Sequence, residues 1–490
     1  FSQNDFGYHR IQRLEESSKV EGTGSEPVVT ESAPRVGHKT HCTVGGAHAF
    51  ILKVSSYFGL APLKFESRSN GLTVSISNAM CVYSYILVTI LVICTIFGLA
   101  AEIHVGVDLS VRMSSRMSQV VSTCDVLVVV ATAGAGVYGA PHRMRNMLQF
   151  MESVAAVDNS IGGKYSKATE RKLCAVLLFI LTFFTVLLVD DFCFYALQAK
   201  KTNRQWDIVL NYIGFYLLWY VVIMLELQFA FTALSVRARF EAVNDALALT
   251  ARQVSIPCKL EKPKTSSPLN IYAIRVAPME TQRRSANVSL LVDSMPSLEQ
   301  PVIVRKSGIL HSGMPRLATS PCEAVRRLAA LHGTLCEVVR CVDASYGLPL
   351  IVVLISTLLH LIVTPYFLIM EIIVSTNRTH FLVLQFLWCL THMLRMMVVV
   401  EPCHYTIAEG RRTESLVCRL MNSAPSTGSL PSRIELFSRQ LMLQSVSYSP
   451  LGMCTLSRPL VASVSSYCIP AEVLSRSNSL RGVVIEQVDS

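Results

Sequence analysis

Apolar positions in this chain come in long unbroken blocks, with little of the strict alternation that marks a half-buried strand. Six blocks stand out, at about 79–101, 119–140, 173–189, 208–233, 347–370 and 381–400. Each is close to the ~20 apolar residues that cross a bilayer as a helix. A seventh is only hinted at: Leu451–Val464 is weakly apolar and short, and 465–490 turns polar. The pattern continues past two of the blocks at helical spacing. Phe240, Val243 and Leu247 extend the fourth, and Leu328, Leu331, Leu335, Val338 and Val342 lead into the fifth. These stripes predict helices that project beyond the membrane and pack on each other. Segments 404–421 and 433–448 repeat the pattern, and no internal repeat is visible. The expected fold is all-α: a polytopic membrane bundle of six clear transmembrane helices with an incomplete seventh.

Composition agrees with lipid as the main solvent. Of 490 residues 51% are hydrophobic and 16% charged, with mean hydropathy +0.43; soluble domains carry roughly 25% charge. The net charge of +10 alone would suit a nucleic-acid partner, but its placement does not. Between blocks, alternate segments hold 37 Lys and Arg against 6, and 22 against 6 without the long fourth loop. Basic residues stay on the cytoplasmic side, so the N-terminus is expected inside. No nucleic acid is expected as a partner. Residues 1–48 contain no apolar run, so no secretory signal peptide is read there and the first span is expected to direct membrane entry. The fifteen cysteines lie mostly in apolar blocks or basic segments, as reduced thiols and not as a disulfide framework.

These readings divide the chain into a cytoplasmic segment 1–78, helices one to four with their extension over 79–256, and a Pro/Ser-rich disordered insert over 257–320. Then follow helices five and six with their approach over 321–400, cytoplasmic helices over 401–456, and an atypical tail over 457–490. The sequon at Asn377 falls on the expected outer side and is a candidate glycosylation site; the one at Asn287 falls inside and should stay bare.

No catalytic motif is present: GxSxG, HExxH, the P-loop and a helix-opening GxGxxG are all missing. No catalytic residue, cofactor or metal is expected. Cys336 and Cys341, and the Cys403-His404 pair, have the wrong spacing for ligands. Ionisable residues inside spans are the default functional candidates because charge is costly in hydrocarbon. They are Asp125, Glu226, His360 and His392. Glu226 and Arg395 have a plainer reading as a mutual ion pair or as snorkelling side chains, and the histidines as satisfied core residues. Tyr212, Tyr216 and Trp219 in the fourth span, Tyr366 in the fifth, and Gln385 and Trp388 in the sixth could wall a pocket for a small polar ligand. Singly, each also suits an interfacial belt or core packing. Ala131, Ala135 and Gly139 form a small face expected to allow close helix packing. Pro365 is expected to kink the fifth span.

The stretch Cys403-His404-Tyr405-Thr406-Ile407-Ala408-Glu409-Gly410-Arg411-Arg412-Thr413 resembles the segment after the sixth helix of insect gustatory receptors. So do Ile434-Glu435-Leu436-Phe437-Ser438-Arg439-Gln440-Leu441 and Leu451-Gly452-Met453-Cys454-Thr455-Leu456. Upstream, Tyr57-Phe58-Gly59-Leu60-Ala61-Pro62, the Arg239-Phe240 to Asn244 segment and the run from Leu331-His332 through Leu354 are similar to that family as well. The resemblance implies a plasma-membrane, ligand-gated, non-selective cation channel for a small-molecule tastant. It implies assembly as a homotetramer, or as a hetero-oligomer with related receptors. It also implies that Glu409, Glu435, Phe437, Gln440 and Gly452 belong to a cytoplasmic anchor and not to the ligand site. In the family an apolar seventh helix lines the pore and carries a Thr-Tyr pair. Here the chain reads Val461-Ala462-Ser463-Val464-Ser465-Ser466-Tyr467-Cys468-Ile469-Pro470. A product without that helix would be a non-conducting isoform.

Two other classes compete. A G-protein-coupled-type receptor places its N-terminus outside, against the charge bias. A secondary transporter should show paired broken helices and acidic residues at one depth, whereas Asp125 and Glu226 fall at different depths.

Overall fold

The computed structural model describes residues 41–44, 46–68, 71–106, 110, 116–161, 164–201, 203–255, 303–304, 316–317, 320–374, 379–424 and 428–463. In chain order the elements are β1 (His41–Val44), α1 (Gly46–Tyr57), β2 (Leu63–Arg68), β3 (Gly71–Ile76), α2 (Asn78–Val105) and α3 (Arg116–Tyr138). Next come α4 (Ala140–Ile161), α5 (Lys164–Lys200), α6 (Gln205–Ser255), the two-residue strands β4 (Ile303–Val304) and β5 (Arg316–Leu317), α7 (Pro321–Val374), α8 (Thr379–Ser423) and α9 (Leu430–Leu443). A 3-10 turn covers Pro450–Gly452, and residues 458–463 are helical.

Six of these helices, α2, α3, α5, α6, α7 and α8, are long and apolar enough to cross a membrane. They coincide with the six apolar blocks. Helix α6 is the hub: 67% of its apolar window is buried, against 22% in α5 and 28% in α2. The outward faces of the peripheral spans carry Ile86, Ile90, Phe97, Phe179, Val186 and Phe386, all exposed in the single chain. Such side chains are stable facing acyl chains, since in hydrocarbon only backbone and polar groups need an internal partner.

Close approach of α2 to α6 depends on two glycines. A Cβ on Gly98 would stand 2.0 Å from the Asn211 carbonyl oxygen, and one on Gly214 would stand 3.0 Å from Thr95 Oγ1. Small residues let backbones meet where no hydrophobic force drives helices together. In α3 the packed small face differs from the expected one. Ala131 and Gly139 are exposed and Ala135 half-buried, whereas Thr132, Ala133 and Gly136 are buried, with Gly136 against Leu225 and Leu60. The helix is rotated by about one position, because the bulkier Val129 and Val137 share the face that buries more area.

Beyond the apolar windows, α6 and α8 continue and α7 begins early, and these parts form a stem with α9. Phe240, Val243, Leu247, Leu328, Leu331, Leu335, Val338 and Val342 are all buried, as their spacing predicts. His332 meets Phe240 and Phe437 edge-on at 5.4 and 5.8 Å. Helix α7 runs on through Pro349 and Pro365 to Val374.

The sheet before the first span was not expected. β3 pairs antiparallel with both β1 and β2, in the order β1-β3-β2. Its signal is a short alternation: Leu63 and Val74 point inward and are buried. Inside the segment expected to be disordered, β4 pairs with β5 through Ile303↔Leu317 and Val304↔Arg316, and Ser320 begins the approach to α7. The rest of 257–320 lies outside the described residues.

His48 on α1 is buried with its ring edge-on to Phe231 at 5.0 Å. Burial, helped by the Arg239 charge, pulls its pKa from 6.5 to about 3. The unfolded chain therefore takes up a proton below pH 6.5 that the folded chain refuses until about 3. Stability should fall across that window by about 1.4 kcal/mol per pH unit. Thermal melting of the solubilised protein between pH 7 and pH 5 should show this slope in the wild type. The slope should be reduced in His48→Leu.

Candidate functional site

Aromatic and charged side chains from five spans converge on the middle of α6. Trp219, on the hub helix, is 3% exposed. Its ring centroid lies 5.3 Å from His360 on α7, and 5.6 and 6.2 Å from Trp388 and His392 on α8. Trp388 and His392 are one helical turn apart, so they present on one face and stack at 5.5 Å. His360 and His392 stack nearly parallel at 4.5 Å.

Charged groups close the cluster on three sides. On α5, Asp191 accepts hydrogen bonds from Trp388 Nε1 at 3.1 Å and from the Tyr216 hydroxyl. On α3, Asp125 Oδ1 lies 2.7 Å from His360 Nε2. Toward the stem, Arg395 donates through Nε and Nη2 to both Glu226 carboxylate oxygens at 2.6 to 3.2 Å. Arg395 and Glu226 are 0% and 2% exposed, and the guanidinium sits 4.7 Å from the Trp219 ring centroid. The bidentate pair and the cation–π contact supply the partners that a buried charge requires.

Toward the Gln205 end of α6, Tyr216 also lines a narrow, shallow recess with Phe192, Tyr195, Ile208 and Tyr212, with no enclosed space for a ligand in this conformation. Tyr216 therefore faces the recess while its hydroxyl reaches Asp191 inside the cluster. An aromatic wall backed by carboxylates and imidazoles suits a small polyhydroxylated or amine-bearing molecule: rings cover C–H faces, and the polar groups fix orientation.

Of the residues expected to wall a pocket, Tyr216, Trp219, His360, Trp388 and His392 are brought together. Gln385 is half-buried on α8. The Tyr366 side chain and Asn377 lie outside the described residues. Glu226 and Arg395 form the ion pair that was the plainer reading of them. Asp191 was missed, because the third block was ended at residue 189 and the acidic pair Asp190-Asp191 looked like the end of a span. That pair inside a helix running on to Lys200 was the available signal.

Of the residues assigned to an anchor, Glu409 on α8 and Glu435, Phe437 and Gln440 on α9 lie in the stem, and Gly452 lies in the 3-10 turn that follows α9. Asn244 donates to the Glu409 carboxylate and backbone oxygen, both at 2.9 Å, joining α6 to α8. Phe437 is buried, and Gln440 donates to the Ala329 carbonyl at 3.1 Å. Glu435 and Gly452 are exposed in the single chain. Among the described residues twelve cysteines are thiols; Cys336 Sγ reaches Gln444 O at 3.8 Å and Cys341 Sγ reaches Asn146 O at 3.9 Å.

Among the described residues, six helices long and apolar enough to cross a membrane pack around one buried polar cluster, the build of a multi-pass membrane protein. The family model of the 7tm chemosensory receptors matches residues 48–469, and the chain belongs to that family. Its members are receptors and not enzymes. The "Gustatory receptor for sugar taste 43a" of Drosophila melanogaster is 28% identical over 432 residues, covering 85% of this chain and 94% of the relative. Among solved structures, the insect olfactory receptor OR5 from Machilis hrabei is similar with TM-score 0.56 at 11% identity, covering 87% of this chain and 96% of that one. The same receptor in complex with eugenol is similar at 0.53 and 11%, covering 88% and 97%. At that identity the likeness establishes the fold.

Arg395→Met should strand the Glu226 carboxylate in the bundle and cost about 3–5 kcal/mol. Combining it with Glu226→Leu should recover most of the loss. The fraction of solubilised protein remaining monodisperse after graded heating checks both.

Proposed function

We propose that this chain is a gustatory receptor subunit that acts as a ligand-gated, non-selective cation channel and recognises a sugar. The observation that carries this reading is the pairing of Trp219 and Trp388 at 5.6 Å beside the Asp191 carboxylate and the two stacked imidazoles. A sugar offers an apolar C–H face for indole and hydroxyls for carboxylate and imidazole. The sugar-taste relative supports the same ligand class. Tyr216, Trp219, His360, Trp388 and His392 are the proposed binding residues, with Asp191 as orienting acceptor and the Tyr-lined recess as the approach. Gln385 and Tyr366 stay in the proposal as further candidates.

The N-terminus and the stem are assigned to the cytoplasm, from the excess of 37 Lys and Arg over 6 in alternate segments. Four subunits, identical or related, are proposed to meet through the stem, where Leu436, Met442, Leu443, Leu451 and Met453 are exposed apolar side chains. Binding acts by population shift: a sugar with higher affinity for the open conformation favours it without a second messenger.

The test is current recording in cells expressing the chain, against a panel of mono- and disaccharides and polyols. Sugar-evoked cation current is expected, weakened at least tenfold in sensitivity by Trp388→Ala. Surface-delivered receptor that stays silent to the whole panel contradicts the proposal.

A further inference from the structure

The surroundings of His360 determine where one buried proton resides. The side chain is 5% exposed on α7, and each ring nitrogen faces an oxygen acceptor. Nδ1 lies 2.5 Å from the Ser356 carbonyl oxygen, with the Ser356 hydroxyl farther away at 3.4 Å. A carbonyl oxygen can only accept, so that contact is a hydrogen bond when Nδ1 carries the hydrogen. In a neutral ring Nε2 would then be a bare lone pair. It sits 2.7 Å from Asp125 Oδ1, and an ionised carboxylate also only accepts. Two acceptors at that distance repel, most strongly where water is excluded. A neutral ring can satisfy one of its two contacts, with its hydrogen on Nδ1 toward the Ser356 carbonyl or on Nε2 toward Asp125; holding both at once takes one more proton, carried either by the imidazolium or by the carboxylic acid. Both forms have the same composition.

The neighbours do not offer a second place for that proton. His392, stacked on His360 at 4.5 Å, turns Nδ1 toward Arg395 Nη1 at 3.5 Å. Arginine only donates, so His392 accepts there and is the neutral ring. The Arg395 charge is matched by Glu226 on α6. Asp191 on α5 is engaged by Trp388 and Tyr216. The titratable and charged groups facing the site are therefore Asp125 from α3, Glu226 from α6, His392 and Arg395 from α8 and, behind Trp388, Asp191 from α5.

We propose that Asp125 and His360 form a single-proton binding site that ties α3 to α7, and that loss of this proton weakens the tie by leaving the ring able to hold only one of its two contacts. When the proton leaves to water, one of the two contacts is left with two acceptors facing each other: ring lone pair against the Asp125 carboxylate, or ring lone pair against the Ser356 carbonyl. By linkage, acid favours the conformation with both contacts made and alkali favours any conformation in which one of them is broken. The receptor would then be proton-modulated from inside its own bundle, whatever its ligand is.

The experiment needs neither ligand nor current, so it is separate from the test of the channel. Tryptophan emission of the full chain in lipid nanodiscs is followed from about pH 5 to about pH 10, a range that brackets the ordinary imidazole titration. Trp219 lies 5.3 Å from His360 and reports on it. A one-proton step is expected in the wild type, lost in Trp219→Phe, which leaves both partners in place. The step should also be lost in His360→Gln and Asp125→Asn, and kept in His380→Gln, whose ring is exposed near Asp190. A wild type without a Trp219-dependent step overturns the proposal even if the other variants fail to fold. So does a step that survives unchanged in folded His360→Gln or Asp125→Asn.

Discussion

Hydrocarbon cannot solvate a charge, and the Glu226–Arg395 pair is where this structure meets that constraint most severely. The guanidinium is buried completely, so its position is dictated by the carboxylate that neutralises it and the indole that covers it. That fixes the rotation of α8 against α6. Once α8 is so turned, His392 and Trp388 face the bundle one and two turns farther along. Trp388 then reaches Asp191 on α5, and His392 stacks on His360, which in turn meets Asp125 on α3. Five spans are oriented by a chain of polar contacts that begins at one ion pair. The small residues at the α2–α6 crossing set the distance of the remaining span.

The same helices connect this cluster to the stem. Helices α6 and α8 are continuous from Trp219 and Trp388 down to the Asn244–Glu409–Thr413 contacts. Packed helices have a few discrete arrangements and do not bend smoothly, so a change in the cluster is carried as a shift of whole elements. The stem helices bury their facing stripe and leave other apolar side chains outward, which suits a part of the molecule that meets other subunits.

Much of this was legible in the residues. Six spans were readable because an apolar run of ~20 residues has few other uses, and the stem because leucines and valines at helical spacing have one face to bury. Trp219, Trp388, His360 and His392 were singled out because polar or amphipathic groups deep in a span need partners. Their convergence was not readable, since sequence spacing fixes a residue's face on its own helix and says little about the neighbour it meets. Asp191 escaped for a related reason: an acidic pair near the end of an apolar run looks the same whether it ends the span or enters the bundle. In α3 the small residues recur at two rotations a single position apart, and only the packing of Val129 and Val137 decides between them. The sheet of His41–Ile76 was hidden by short strands with one or two inward residues each.

The direct test of the recognition site is an experimental density map of the receptor in nanodiscs, with and without saturating sugar. The account predicts new density against Trp219 and Trp388 within hydrogen-bonding reach of Asp191, with Arg395 still on Glu226. Sugar density elsewhere in the bundle, with the Trp219–Trp388 cluster unchanged and closed, would contradict it.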